Sequence, residues 1–264
     1  MCSNLTHSNA AMILSHPGHE LRVLGWLKEA KPLVIVLTDG SGHTNEPRIE
    51  LSRTLIHEAG GRTASIFGSY TDQQFYEAIL HQDVKFFQRL KKEITNILIE
   101  NEIDLVVGDA VEGYNPSHDL CRCLIDRSLV ELQKAAGRRP LNYEFPLVAL
   151  PSIWSDHPEA YCYRLNGNDQ EWKLDQIKSY AKTVGGQLLD EVEDSLAKFG
   201  NEVLAEEWFT PATSALDLSH FEQKIPFYER HGEQQVSAGH YKNTIRFREH
   251  MLPLINAMGA DGTA

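Results

Sequence analysis

The chain has 264 residues, 42% of them apolar, with a net charge of −12 and four cysteines. That length allows one large domain, or one and a half small ones, with a full core. The acidic balance offers no electrostatic footprint for a phosphate backbone, which excludes nucleic acid as a partner class and disfavours anionic membrane surfaces.

No apolar run approaches the roughly 20 residues of a spanning helix. Met1-Cys2-Ser3-Asn4-Leu5-Thr6-His7 lacks the basic and apolar regions of a signal peptide. A cytoplasmic location is expected, with no membrane span. Cys2, Cys121, Cys123 and Cys162 form no CxxC pair and read as reduced thiols.

In chain order, Ala11-Met12-Ile13-Leu14 reads as a buried strand. His16-Pro17-Gly18-His19-Glu20 follows, then a segment to Ala30 in which Leu21, Val23, Leu24 and Leu27 recur near helical spacing. Leu33 to Leu37 is a continuous apolar run suited to a central parallel strand. Asp39-Gly40-Ser41-Gly42 breaks it. Pro47 opens a helix to about Ala59, stopped by Gly60-Gly61. A short strand covers Thr63 to Phe67. Thr71-Asp72 offers an N-cap for one long helical stretch with Phe75, Ile79, Val84, Phe87, Leu90, Ile94 and Leu98 on its buried face.

Leu105-Val106-Val107 is the next strand, ending at Gly108-Asp109. Ser117 caps a helix containing Leu120, Leu124, Ile125 and Leu129, and Pro146 to Leu150 reads as a further strand. Strands alternating with helices predict an α/β fold, a Rossmann-like, mostly parallel sheet with helices on both faces. Polar helices are expected from Glu171 to about Phe199. A last helix from Tyr241 to Met251 stops before Pro253, and the tail from Gly259 is disordered. The expected layout is an α/β domain over 8–200 and a mostly helical or irregular C-terminal extension over 201–264, packed on the same domain as a lid or subunit contact. Homo-oligomerisation stays open.

His16 and His19 sit at a strand-to-helix turn, the end of the strand where open α/β sheets bind ligands. His118 lies in a loop after another strand, within Glu112-Gly113-Tyr114-Asn115-Pro116-Ser117-His118-Asp119. Three imidazoles from two strand ends could close around one metal ion. Gly40-Ser41-Gly42 matches neither a serine-hydrolase elbow nor a dinucleotide fingerprint. It is simplest as a turn that lets backbone approach the site.

These stretches, with Thr38-Asp39-Gly40, Arg48-Ile49-Glu50-Leu51 and Asn115-Pro116-Ser117-His118, resemble in order and spacing the PIG-L/LmbE-like zinc-dependent N-deacetylases. The resemblance covers roughly residues 10 to 150. It implies one Zn2+, or another divalent ion, held by His16, by His19 in place of an Asp, and by His118. It implies hydrolysis of an amide, most simply an N-acetyl group on an amino-sugar-like small molecule.

The departures bear on catalysis. The family's general-base Asp is replaced by Gly18, its polarising His by Asn115, and the Asp of its later motif by Ser117. An enzyme with relocated acid-base chemistry and a catalytically inactive binding protein in glycan assembly both remain open. Three neutral imidazoles leave the full charge of zinc on the site, which favours acidification of water without a strong external base. Glu112 is the first substitute base, because its loop carries His118; Asp39 is another loop carboxylate, with Asp109, Asp119 and Glu20 nearby. A solvated carboxylate or one that orients a ligand is the plainer account of any one of them. Asn115 could donate to an oxyanion, or simply belong to the turn before Pro116. Arg48 resembles the family's substrate-side arginine, with a helix-surface ion pair as the alternative. His43 and His240 are possible pocket residues, and Trp154, Tyr161 and Tyr163 could stack on a sugar or pack at the core.

Overall fold

The structure is a computed structural model and describes residues 5–42, 46–212, 218, 221 and 224–259. Among these, seven strands form one sheet: β1 (Ala10–Leu14), β2 (Leu33–Thr38), β3 (Arg62–Tyr70), β4 (Leu105–Asp109), β5 (Leu141–Phe145), β6 (Tyr161–Arg164) and β7 (Glu206–Pro211). Their order is β3-β2-β1-β4-β5-β7-β6. The first five run parallel, with Met12 opposite Val34 on one side and Val107 on the other. β7 runs antiparallel to both β5 and β6.

The helices are α1 (Leu24–Ala30, after a 3-10 turn over His19–Val23), α2 (Ile49–Glu58), α3 (Asp72–Leu80), α4 (Val84–Glu100), α5 (Pro116–Ala136), α6 (Gly167–Val184), α7 (Gly186–Phe199), α8 (Phe227–Ser237) and α9 (Leu252–Gly259). The pleat sorts side chains between two cores. Ala11, Ile13, Leu33, Ile35 and Leu37 meet Phe75, Phe87, Ile94 and Leu124 on one face. Met12, Leu14, Val34 and Val36 meet Leu24, Trp26, Leu27 and Ile56 on the other. This is the two-faced, mostly parallel α/β sheet expected from the alternation of strands and helices.

Three expected elements differ. The helical stretch after Thr71 is two helices, because Gln82 takes φ 50 and the Asp83 side chain starts a new helix by accepting from Phe86 N–H at 3.0 Å. The strand expected over 146–150 lies instead at 141–145, with 146–150 a loop whose Val148 and Leu150 are exposed. The helix expected over 241–251 begins only at Phe247, as a π-helical turn leading straight into α9. Pro253 thus falls inside the helical run, just past the junction of the π-turn and α9, and does not end it.

The boundary near residue 200 falls between α7 and β7, and β7 is hydrogen-bonded into the sheet. Met251, Leu254, Ile255 and Met258 join the first core. Lys173 of α6 and Glu207 of β7 form a buried ion pair at 2.6 Å, and the Glu207 carboxylate accepts the Gly25 and Trp26 N–H groups at the start of α1. This ties the late strand to the first helix. Cys121, Cys123 and Cys162 are free thiols; Cys2 and the tail beyond Gly259 lie outside the described residues. No helix among the described residues is long and apolar enough to cross a membrane.

Candidate metal centre

β1 pairs with β2 on one side and β4 on the other, and the order of the sheet reverses between them. The crevice beyond the carboxyl ends of such strands is the usual ligand site of this architecture. His16 leaves β1 there. Gly18, at φ 100, turns the chain into the 3-10 segment that His19 opens. His118 stands in the first turn of α5, which Asn115 caps by accepting Ser117 N–H at 2.9 Å, with Pro116 in the first turn. The turn after β2 packs against the same place: a Cβ on Gly40 (φ 71) would collide with the Pro17 ring, which requires glycine there.

The three rings come together edge-on. Centroids lie 5.4 Å apart for His16 and His19, 5.1 Å for His16 and His118, and 4.5 Å for His19 and His118. Asp109, fully buried at the end of β4, fixes His19: its Oδ2 stands 3.0 Å from His19 Nδ1 and accepts Ser15 N–H at 2.8 Å. His16 Nδ1 meets Thr38 Oγ1 at 2.7 Å and Asp72 Oδ1 at 3.0 Å, while its Nε2 meets Ser117 Oγ at 2.6 Å. Burial disfavours an ionised Asp72, but the hydrogen bond and charge of His16, with Thr38 and the Gly42 N–H, outweigh it and hold the carboxyl well below its usual range. An ionised carboxylate at Nδ1 requires a proton there, so Nε2 carries the lone pair.

Burial lowers the pKa of His16 despite Asp72, and burial with the two neighbouring imidazoles pushes His118 well below 6.5. Both rings are therefore neutral at neutral pH, the form a metal requires. The His118 ring makes no hydrogen bond among the described residues. Ser15 Oγ and Asp109 Oδ1 are buried beside the rings without partners.

Three imidazole nitrogens on one tetrahedral zinc, at about 2.0–2.1 Å each, put ring centroids roughly 5 Å apart. The observed spacings bracket that value, but Ser117 Oγ stands 2.6 Å from His16 Nε2, where an ion would have to lie. Among the described residues, no three His, Cys, Asp or Glu side chains are placed to hold a metal ion. Both nitrogens of His16 are held by Asp72, Thr38 and Ser117.

The other residues singled out by sequence fall in different places. The Glu112 carboxylate accepts the N–H groups of Leu147, Val148 and Ala149 at 2.8–2.9 Å, and so builds the loop after β5. Asp39 Oδ1 accepts Ser41 N–H at 2.9 Å in its own turn. Asn115 Oδ1 accepts from Ser117 N–H and Oγ and from Tyr76 Oη. Arg48 donates from Nε to Gly40 O at 2.7 Å, at the turn that packs on Pro17. His240 is exposed just past α8. Trp154, Tyr161 and Tyr163 pack against the second core. His43 lies outside the described residues.

Asp72, Tyr76 and Tyr180 carried no sequence signal for the site. A Cβ on Gly18 would lie 3.0 Å from Tyr180 Oη, so the tyrosine of α6 fills the space a larger residue at 18 would need. Glu20 turns back to accept Gly18 N–H at 2.8 Å, and burial raises its pKa. Tyr180 Oη and Glu20 Oε1 are buried and unpartnered.

No family model and no curated protein matches the chain. Among solved structures it resembles a deacetylase triple mutant involved in the teicoplanin biosynthetic pathway, with a TM-score of 0.51 and 13% identity over 77% of this chain and 97% of that one. The chain shares that fold. An antimicrobial pseudoaglycone deacetylase is similar at a TM-score of 0.48 and 14% identity over 77% of this chain and 96% of the other. A zinc-inhibited form of teicoplanin deacetylase follows at 0.44 and 12%, over 76% and 96%. At such identities the likeness is one of architecture.

Proposed function

We propose that the chain is a metal-dependent amide hydrolase that removes an N-acetyl group from an amino-sugar-like small molecule. The observation that carries this reading is the convergence of His16, His19 and His118 at the sheet mouth, 4.5–5.4 Å between ring centroids. The deacetylase fold of the first solved neighbour supports it. These three residues would hold one divalent ion, zinc by preference for imidazole donors. Such an ion supplies Lewis acidity toward an amide carbonyl and makes water more acidic.

The remaining work belongs to the chain. Asp109 aims His19, and Asp72 with Thr38 keeps the proton of His16 on Nδ1. The Asn115 amide nitrogen is assigned to donate to the developing oxyanion, since its oxygen is engaged by the helix cap. Arg48 is assigned to the substrate side. Glu112 is built into a loop and Asp39 into a turn, so we assign neither a strong role as base.

The second reading, a metal-holding binding protein without turnover, is favoured by one observation: the position of the family's base is glycine, and Tyr180 stands in its space. Acetate release from a panel of N-acetylated amino sugars, measured with zinc-loaded and chelator-treated protein, separates the two. Metal-dependent release supports the hydrolase. Zinc-dependent binding of a panel member without release supports the binding protein. Release untouched by chelation and by His118→Ala refutes the metal reading.

A further inference from the structure

Two apolar segments stand open at the carboxyl end of the sheet, one on each side of the loop that leads to His118. On one side, just past β5, Val148, Leu150 and Ile153 are exposed by 50%, 39% and 61%. The backbone that carries the first two is clamped from both edges. The Glu112 carboxylate accepts the N–H groups of Leu147, Val148 and Ala149, and the Arg22 guanidinium donates to Pro146 O at 3.3 Å and to Ala149 O at 2.6 Å. On the other side, a Cβ on Gly113 would collide with the Phe221 ring, and the Gly113 carbonyl accepts Tyr228 N–H at 3.3 Å. The Tyr114 and Phe227 rings stack there at 4.9 Å and 2°. Tyr114, Ile225 and Phe227 are exposed. Of the eleven large apolar side chains exposed among the described residues, six therefore gather at the mouth, a concentration that marks a binding surface rather than scattered apolar residues.

Resting on the amino-sugar reading proposed above, we infer that this rim receives an apolar aglycone, a hydrophobic group glycosidically linked to the acetamido sugar. An unrestrained apolar loop would turn Val148 and Leu150 inward, away from water. The clamp holds its backbone and keeps them outside. Both clamping residues belong to the segments that carry the histidines: Arg22 shares a 3-10 turn with His19, and Glu112 opens the loop to His118. The apolar wall thus stands at a fixed offset from the imidazoles. Two parts of one small molecule need such a register; a separate protein partner does not. The acetamide meets the imidazoles, and the aglycone lies along Val148, Leu150 and Ile153.

NMR titration of the full chain with methyl and octyl N-acetyl-β-glucosaminide, the latter below its micellar concentration, tests this. Each methylene removed from water is worth about fourfold in affinity, so the octyl glycoside should bind at least about tenfold more tightly than the methyl glycoside. In the double variant Val148→Ser, Ile153→Ser that ratio should fall toward one. Leu141→Ser, which alters an exposed residue at the opposite end of β5, should keep it. If the double variant does not fold, contacts from the octyl chain to the Val148 and Ile153 methyl groups of wild type, read as intermolecular NOEs, decide in favour, and their absence decides against. Equal binding of the two glycosides overturns the aglycone rim and leaves the amino-sugar reading standing. So does a gain from an N-octanoyl chain on the methyl glycoside with none from the octyl glycoside. A ratio lost equally in Leu141→Ser, or a dimer in sedimentation that the double variant dissociates, also overturns the rim. Binding of neither glycoside defeats the amino-sugar reading and the rim with it.

Discussion

Asp109 Oδ2 stands 3.0 Å from Nδ1 of His19 while also holding the backbone N–H of Ser15. One carboxylate thus joins the ends of β1 and β4 and sets the direction of an imidazole. With its Nδ1 held there, His19 keeps Nε2 as its remaining ring nitrogen. Partners of this kind fix a ligand's orientation and basicity, and their loss typically costs roughly 10–100-fold in metal affinity. Asp109→Asn should therefore lose zinc affinity on that scale while keeping the circular dichroism of the wild type. Unchanged affinity would remove Asp109 from the site.

Acid should cost the metal-free protein the stability that its buried imidazoles contribute. Burial holds His118 well below 6.5 and His16 below that value. Below about pH 6.5 the unfolded chain binds protons on these rings that the folded chain does not, so their contribution is full above that pH and falls as the pH drops, while Asp119, its carboxyl pushed up to about 8 by burial, opposes it over the same range. Urea denaturation of chelator-treated protein at about pH 7.5 and about pH 5.5 measures the slope, and His118→Gln should shift it toward greater relative stability in acid. An equal slope in the variant would show that His118 contributes none of it.

Putting back a carboxylate at position 18 should not rescue a base. Gly18 has φ 100, and the Tyr180 ring and hydroxyl crowd the space beside it. A left-handed conformation costs a non-glycine residue about 1–3 kcal/mol. Gly18→Asp should lower thermal stability and give no gain in amide hydrolysis. A gain with unchanged stability would mean that Tyr180 yields the space freely.

Glu112 should matter to the loop it holds. Its two oxygens take three successive N–H groups at 147–149. Glu112→Ala removes three charge-assisted hydrogen bonds, so amide exchange at Leu147, Val148 and Ala149 should accelerate at least about tenfold, since even one such bond is worth about 1.5–3 kcal/mol. Protection unchanged at those three amides would restore the carboxylate as a free group and a candidate base.

The buried ion pair at Lys173 and Glu207 should be costly to break from one side. Lys173→Met leaves the carboxylate with only its N–H donors from Gly25 and Trp26. About 3–5 kcal/mol of stability should be lost, read by chemical denaturation. A loss below about 1 kcal/mol would mean that those two donors suffice to hold Glu207.

The convergence of three imidazoles was legible where chemistry and local order coincide. His16, His19 and His118 follow recognisable strands or open a helix, and continuous apolar runs such as Leu33 to Leu37 declare a strand buried on both faces. The partners were not legible. Asp72 lies 56 positions from His16, and only the β3-to-α3 connection brings it there. Tyr180 comes from α6, which periodicity could place but not aim. The strand at 141–145 was missed because Leu141-Asn142-Tyr143-Glu144-Phe145 is mixed, whereas Pro146 to Leu150 looks apolar. That run is held as a loop by a carboxylate 35 residues upstream. Gln82 and Asp83 interrupt a helical pattern whose spacing runs unbroken through them.

The antiparallel entry of β7 between β5 and β6 carries a consequence for synthesis. The pairs among β1, β2, β3 and β4 involve only the first 109 residues, and β5 can join them soon after. β6 pairs with β7, so it has no neighbour until residues 206–211 leave the ribosome. The same late segment delivers Glu207 to the start of α1. A chain that ends before residue 206 would therefore leave β6 unpaired and the start of α1 without the Glu207 carboxylate, an open strand and an unfilled helix terminus.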